Sequence, residues 1–124
     1  MEKTIIGNNL EICRILNGMW QVAGGHGQID SELAIQDMEK YQELGFTTWD
    51  LADIYGPAES LIAKFSKKIK QNVQAFTKFV PNPGPMSNSI VTQHIDESLK
   101  KMNVDSIDLL QFHWWDYQDS SYLD

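Results

Sequence analysis

Four residues that can donate, hold or steer a proton stand at three places along the chain, about one βα unit apart. Tyr55 follows Asp50 closely, Lys78 lies 28 residues after Asp50, and His113 lies 35 residues after Lys78. A tyrosine hydroxyl has an ordinary pKa of about 10, so it is a poor proton donor near neutrality. A nearby ammonium group favours the phenolate and lowers that pKa. These side chains could therefore form a general acid that delivers a proton to a carbonyl oxygen.

In such a site, Lys78 would supply the charge, Asp50 would hold it, and His113 would orient the carbonyl oxygen. Taken singly, each residue type has a structural explanation. An aspartate at a strand end commonly forms a turn, and a tyrosine beside a glycine commonly packs. A lysine late in a strand commonly reaches solvent, and a histidine in an apolar strand is often a core residue. Because all four stand at equivalent ends of successive units, the joint arrangement favours chemistry.

The elements that would position these residues alternate between strand and helix patterns. Strands are predicted over 11–20, 46–50, 73–79 and 107–113. The strand at 107–113 is nearly apolar throughout, which is typical of a parallel strand buried on both faces. In parallel α/β sheets the functional residues gather at the carboxyl ends of the strands, so the four residues would meet at one rim.

Three helices are predicted between the strands from apolar residues at helical spacing. The first is capped by Asp30 or Ser31 and ends at Gly45, which suits a left-handed conformation. Its apolar face is formed by Ala34, Met38, Tyr41 and Leu44. The second begins near Pro57 and carries the stripe Ala58, Leu61, Ile62, Phe65 and Ile69. The third presents Val91, Ile95, Leu99 and Met102.

The order β-α-β-α-β-α-β, at about 30 residues per unit, predicts a single α/β domain over residues 1–124. An open doubly wound sheet and a barrel both fit this order. A barrel is favoured because it gathers residues from successive strands around one mouth.

The composition excludes several other classes of protein. The chain has 124 residues, 42% of them hydrophobic and 22% charged, which is typical of a globular domain. A formal net charge of -7 argues against nucleic-acid binding and against an anionic membrane surface. Cys13 is the single cysteine and is expected to be a buried strand residue. The sequence shows no pattern of a signal peptide or membrane helix, so we expect a cytoplasmic location.

Three segments resemble the aldo-keto reductase family. They are GFTTWDLADIYGPAE, FTKF and DLLQFHWW, and the resemblance runs from about residue 12 to the end. It implies that Asp50, Tyr55, Lys78 and His113 are a catalytic tetrad with Tyr55 as the proton donor. It further implies an NADPH-dependent oxidoreductase that reduces an aldehyde or ketone to an alcohol. NADPH would supply the hydride, and the protein would orient and polarise the substrate.

The resemblance also implies binding residues near the ends of the first and fourth strands. The cofactor-binding set is Gly18, Met19, Trp20 and Asp50. The substrate-binding set is Trp20, Tyr55, His113 and Trp114. Glu59 matches a frequent acidic position after the tyrosine and is expected to be structural.

The chain departs from the family in its length. A (β/α)8 TIM barrel takes about 250 residues, so about four parallel strands and three helices would make its N-terminal half. In the family, later loops bind the pyrophosphate and adenosine. The glycines at 24, 25 and 27 do not form the spaced dinucleotide fingerprint and are interpreted as a loop. An open half barrel exposes strand edges, so we expect self-association or a partner half to cover them.

Two alternatives remain open. One is a shortened, non-catalytic chain of the same family that binds or regulates a partner. The other is a metal-dependent hydrolase that uses Asp50, Asp53 and His113. The hydrolase is less favoured because no ligand spacing joins these residues to His26 or His94, which are interpreted as surface groups.

Overall fold

The computed structural model describes residues 1–25 and 27–123. The strands are β1 (Lys3–Ile6), β2 (Leu10–Cys13), β3 (Asn17–Gly18), β4 (Thr48–Asp50), β5 (Gln74–Phe79) and β6 (Leu109–Phe112). The helices are α1 (Ser31–Glu43), α2 (Ala58–Ile69) and α3 (Asn88–Met102). Short 3-10 turns cover Trp20–Ala23 and Ser121–Leu123.

The predicted α/β fold is confirmed. The main sheet has four parallel strands in the order β3-β4-β5-β6, with α2 packed against both α1 and α3. The sheet positions Asp50 at the end of β4 and Lys78 next to the end of β5. Trp49 and Ala75 belong to the core that the helices cover. Because side chains alternate along a strand, Asp50 and Lys78 lie on the opposite face.

The prediction of one strand over 11–20 is wrong. Leu10–Cys13 instead pairs antiparallel with Lys3–Ile6, and only Asn17–Gly18 enters the parallel sheet. Gly7 adopts φ +59°, which allows the tight turn of this hairpin. The Thr48 hydroxyl accepts the Cys13 N–H at 3.0 Å and ties the hairpin to the main sheet. Cys13 is fully buried, as expected.

The predicted ends of α1 are confirmed. Asp30 Oδ1 accepts the N–H groups of Glu32 and Leu33 at 2.8 and 3.0 Å, which satisfies two donors that a helix start leaves open. Gly45 follows the helix with φ +88°, a conformation that strains any residue with a Cβ.

The predicted apolar faces are confirmed for α2 and only partly for its neighbours. Four of the five stripe residues of α2 are buried, namely Ala58, Leu61, Ile62 and Phe65. On α1, Met38 and Ile35 are buried, whereas Tyr41 and Leu44 are 50% and 69% exposed. On α3, only Met102 of the predicted set is fully buried. The reason is position, since α2 has a helix on each side.

The prediction that the last strand is buried on both faces is also wrong. Leu109 and Leu110 are half-buried, and Gln111 and Phe112 are exposed. Among the described residues, β6 is the edge of the sheet and pairs with β5 alone. None of the helices in the described part of the chain has the length and apolar composition that a membrane crossing requires.

Candidate active site

Asp50 and Lys78 form an ion pair at the carboxyl ends of β4 and β5. Lys78 Nζ lies 2.7 Å from Asp50 Oδ2 and also donates to the Leu51 carbonyl at 2.7 Å. The two side chains are 26% and 14% exposed, Asp50 and Lys78 respectively. A charge-assisted hydrogen bond in such partly buried surroundings is short and strong. The ammonium group is therefore held at a fixed place on the rim.

Tyr55 brings its ring to the same ammonium group. Lys78 Nζ lies 5.2 Å from the centroid of the Tyr55 ring, within cation–π distance. The Tyr55 N–H donates to the Ala52 carbonyl, and the Ala58 N–H donates to the Tyr55 carbonyl, both at 3.0 Å. The loop between β4 and α2 thus turns tightly around Tyr55 and presents it at the rim.

Gly56 makes this turn possible. It adopts φ +51°, and a Cβ there would lie 3.4 Å from the backbone of Ala23. Any side chain there would be strained by this φ and would place its Cβ in contact with that backbone. The loop after Tyr55 is therefore packed closely against the segment that follows β3.

His113 stands at the same rim but is separate from the other three residues. Its N–H donates to the Phe79 carbonyl at 2.8 Å, one residue beyond Lys78, and its side chain is exposed. Within residues 1–25 and 27–123, no hydrogen bond or ion pair joins its imidazole to Asp50, Tyr55 or Lys78. The structure thus brings three of the four predicted catalytic residues into contact and places the fourth on the neighbouring strand.

The predicted cofactor-binding residues lie beside Asp50. Gly18 is paired with Asp50 across β3 and β4, and the Met19 N–H donates to the Asp50 carbonyl at 2.9 Å. Gly18 is exposed, and a Cβ there would meet no heavy atom within 4 Å. Trp20 is 53% exposed, whereas the Met19 side chain is only 5% exposed and packs in the core. Gly18 therefore leaves open surface beside Asp50, and Trp20, two residues further along the chain, is half-exposed.

Trp114 lies differently from the expectation that it borders a substrate pocket. It is 9% exposed, and its Nε1 donates to the carbonyls of Asp116 and Asp119 at 2.6 and 2.9 Å. Its ring packs on Tyr122, with 4.6 Å between centroids. Its neighbour Trp115 is 50% exposed and donates to the Pro81 carbonyl at 3.0 Å. The exposed tryptophan at this end of β6 is thus residue 115, which the sequence did not single out.

Sequence reasoning also missed a pair beside Tyr55. Asp53 Oδ2 lies 3.5 Å from His94 Nδ1, and the His94 side chain is 37% exposed, so His94 lies at the surface as interpreted but is also paired with Asp53. Burial raises the pKa of Asp53, although the Val80 N–H and the His94 charge act in the opposite direction. His94 follows Val91 by three residues, a spacing that places both on one face of the helix and was the available signal. His26 lies outside the described residues.

Glu59 is buried behind the rim, in agreement with the structural role expected of it. It is 1% exposed, accepts the Thr77 hydroxyl at 2.8 Å and lies 3.7 Å from Lys101 Nζ. It therefore joins α2, β5 and α3. The described part of the chain contains no group of three or more His, Cys, Asp or Glu side chains that could hold a metal ion. Of the residues named for the hydrolase alternative, Asp50 is bonded to Lys78 and Asp53 is paired with His94.

A comparison with known protein families covers most of the chain. The sequence model of the Aldo/keto reductase family matches residues 14–123. A 6-dehydroglucose reductase from Agrobacterium fabrum is 29% identical over 131 residues, which cover 91% of this chain and 43% of that protein. The chain spans between 30% and 52% of the length of the curated relatives it matches.

Solved structures show the same half of a fold. An aldo-keto reductase from Bacillus halodurans superposes with a TM-score of 0.74 at 22% identity, over 97% of this chain and 42% of that one. An aldo-keto reductase from Klebsiella pneumoniae, in complex with NADPH, gives 0.72 at 19% identity over 92% and 40%. The four strands and three helices thus correspond to about half of a (β/α)8 barrel, and the similar proteins are oxidoreductases. The chain belongs to the aldo/keto reductase family.

Proposed function

We propose that this chain carries the proton-transfer centre of a nicotinamide-dependent reductase that converts an aldehyde or ketone to an alcohol, with Tyr55 as the proton donor. The observation that supports this most strongly is the position of Lys78. Its ammonium group lies 2.7 Å from the Asp50 carboxylate and 5.2 Å from the centroid of the Tyr55 ring.

The three residues divide the work of proton delivery. Tyr55 donates its hydroxyl proton to the carbonyl oxygen of the substrate. The phenol oxygen then carries negative charge, which the nearby Lys78 ammonium stabilises. Asp50 fixes the ammonium in place through the ion pair. A proton donor positioned in this way contributes about 10²- to 10⁴-fold to a rate.

His113 has a supporting role in the proposal. It follows β6 directly, and its backbone is bonded to Phe79, the last residue of the strand that carries Lys78. An exposed imidazole at this rim can donate a hydrogen bond to a carbonyl oxygen. His113 thereby orients the substrate oxygen toward the Tyr55 hydroxyl.

The residues beside Asp50 fit the nicotinamide end of NADPH. The missing side chain at Gly18 leaves open space next to Asp50, and Trp20 offers a half-exposed ring nearby. When bound there, NADPH would supply the hydride to the carbonyl carbon. The choice of NADPH over NADH is supported by the similar Klebsiella pneumoniae reductase in complex with NADPH.

NADPH titration of the purified chain, followed by fluorescence with NADH for comparison, tests the cofactor part of the proposal. We expect saturable binding that is tighter for NADPH. Reductase assays of the wild type and Tyr55→Phe then test the proton donor. The variant should bind the cofactor equally and lose turnover by about 10²-fold or more. Equal turnover in the two proteins would remove Tyr55 from the role of donor.

A second candidate, a non-catalytic chain that binds a partner, is supported by exposed apolar surface at the edges of the sheet. Ile15 and Leu33 are 59% and 60% exposed and line a groove of about 820 Å³ beside β3 and α1. At the other edge Phe112 is 48% exposed. Light scattering distinguishes the candidates. An associated chain that does not bind NADPH supports the second, and a monomer that binds NADPH supports the first.

A further inference from the structure

Two contacts of Asp53 bind the loop that carries Tyr55 to the strand that carries Lys78, in addition to the contacts of Leu51 with Phe76 and Lys78. The Asp53 N–H donates to the Lys78 carbonyl at 3.0 Å. The Val80 N–H points at the Asp53 carboxylate, 3.3 and 3.2 Å from its two oxygens. Asp53 therefore bonds to β5 and the residue that follows it, at Lys78 before Phe79 and at Val80 after it. Only Ile54 separates Asp53 from Tyr55.

A third contact joins the same carboxylate to α3. Asp53 Oδ2 lies 3.5 Å from His94 Nδ1, and the His94 ring lies 4.5 Å from the ring of Phe79. The carboxylate is thus enclosed by the loop, the end of β5 and α3. Its side chain is only 10% exposed.

A carboxylate in such a place is unfavourable unless it is well bonded, because burial removes its hydration. An aspartate beside Phe79 without these bonds would destabilise the fold more than an apolar residue of similar size. Its bonds converge on backbone that immediately follows Lys78, and its own backbone lies two residues before Tyr55. The residue therefore links the position of the tyrosine to the position of the lysine.

We propose that Asp53 is a positioning residue for Tyr55, fastening the tyrosine loop to β5 so that the phenol stays next to the Lys78 ammonium. The inference rests on the proposed function of Tyr55 as proton donor. Asp53 does not touch the reacting atoms and acts only through the placement of Tyr55. Asp50 fixes the position of the Lys78 ammonium. In the proposal, Asp53 fixes the position of the Tyr55 ring beside it.

The test follows the Tyr55 ring by NMR of ¹³C-tyrosine-labelled protein. The chain has 4 tyrosines, so Tyr55→Phe assigns the signal by its loss. Lys78→Met gives the position of that signal without the ammonium. In Asp53→Ala we expect the Tyr55 signal to move toward the Lys78→Met position. Hydrogen exchange of the backbone amides of residues 53–56 should also become about tenfold faster. The reason is that the loop loses the bond between the Asp53 carboxylate and the Val80 N–H, so it opens more easily.

Two matched variants separate positioning from general destabilisation. Asp53→Asn keeps an oxygen for the Val80 N–H and should return exchange to within about twofold of the wild type. Asp96→Ala removes an exposed aspartate of α3 and should change neither readout. A Tyr55 signal that stays at its wild-type position in Asp53→Ala overturns the proposal, as does loop exchange no faster than in Asp96→Ala.

If Asp53→Ala does not fold, Val80→Pro takes its place, because it removes the N–H that donates to the Asp53 carboxylate. The Tyr55 signal and the amide exchange of residues 53–56 are measured in the same way, and the same results overturn the proposal. These two readouts need neither substrate nor cofactor. Absence of turnover in the wild type would therefore count against the proposed function, and it would leave the test of Asp53 as a positioning residue unaffected. Where turnover is present, Asp53→Ala should lower kcat about tenfold or more with KM unchanged, since misplacing a catalytic group affects the chemical step.

Discussion

The centre of the sheet and its two edges contain similar residues in very different surroundings. Leu61 and Phe65 of α2 are at most 1% exposed, whereas Leu33 and Tyr41 of α1 are 60% and 50% exposed. Phe112 of β6 is 48% exposed. α2 has a helix on each side, and β4 and β5 are paired along both edges. An apolar residue thus becomes core only where neighbours cover it on both sides, and stability should concentrate around α2.

The largest difference between centre and edge is expected from truncating Phe65. Its ring is fully buried and lies 5.6 Å from that of Trp49. Phe65→Ala should lower the free energy of unfolding by about 3–5 kcal/mol, measured by urea denaturation. Leu33→Ala, at the edge, should change it by less than about 0.5 kcal/mol. Equal losses would show that the edge is packed as well as the centre.

A smaller loss is expected from the polar bonds behind the rim. Glu59→Ala leaves the buried Thr77 hydroxyl without its acceptor and releases Lys101, so unfolding should become easier by about 1–3 kcal/mol. The control is Glu97→Ala, which removes an exposed carboxylate that accepts a hydrogen bond from Gln93 on the same helix. Thermal unfolding of both variants measures the difference. Equal melting temperatures for Glu59→Ala and Glu97→Ala would show that the Glu59 contacts do not stabilise the fold.

The edge should respond in surface properties rather than in stability. Leu33→Lys places a charge in the apolar groove beside β3 and should reduce the fluorescence of a dye that binds exposed apolar surface. The free energy of unfolding should change by less than about 0.5 kcal/mol. Ser89→Lys adds the same charge at an exposed site on α3 and should leave dye binding unchanged. If dye fluorescence is the same in Leu33→Lys as in the wild type, the dye binds at a surface other than the groove beside β3.

The smallest effect is a dependence of stability on pH at Asp53. Because burial raises the pKa of Asp53 in the folded chain, its contribution to stability is fully present below the unfolded value of about 3.9 and is lost as the pH rises through the folded value. The stability of the wild type relative to Asp53→Asn should therefore fall as the pH is raised from about 4. Urea denaturation at a series of pH values measures the difference. A constant difference would contradict the raised pKa.

The sequence predicts the parts of this fold that depend on local pattern. The stripe of α2 is confirmed because its apolar residues follow one helical face and that face is covered. The same pattern on α1 misassigned Tyr41 and Leu44, since periodicity identifies an apolar face without showing what packs on it. Residues 11–20 include several strand formers, and their division between two sheets depends on the turn at Gly7 and on the bond between Cys13 and Thr48, which residue types alone do not show.

The candidate site was predicted in the same uneven way. Asp50, Tyr55 and Lys78 come together because successive parallel strands end at one rim, which the order of elements already implies. The pairing of Asp53 with His94 spans separate elements and depends on how α3 packs, so residue types alone did not show it. The choice between Trp114 and Trp115 depends on how the chain turns after β6.

The ion pair between Asp50 and Lys78 lies on the two inner strands, whereas Gly18 and His113 belong to the outer ones or directly follow them. Under the proposed function, this arrangement separates two properties of the rim. Substitutions along the outer strands would change which molecules the rim accepts, and the ion pair between the two inner strands would keep its geometry. Selectivity and proton transfer would then vary independently of each other.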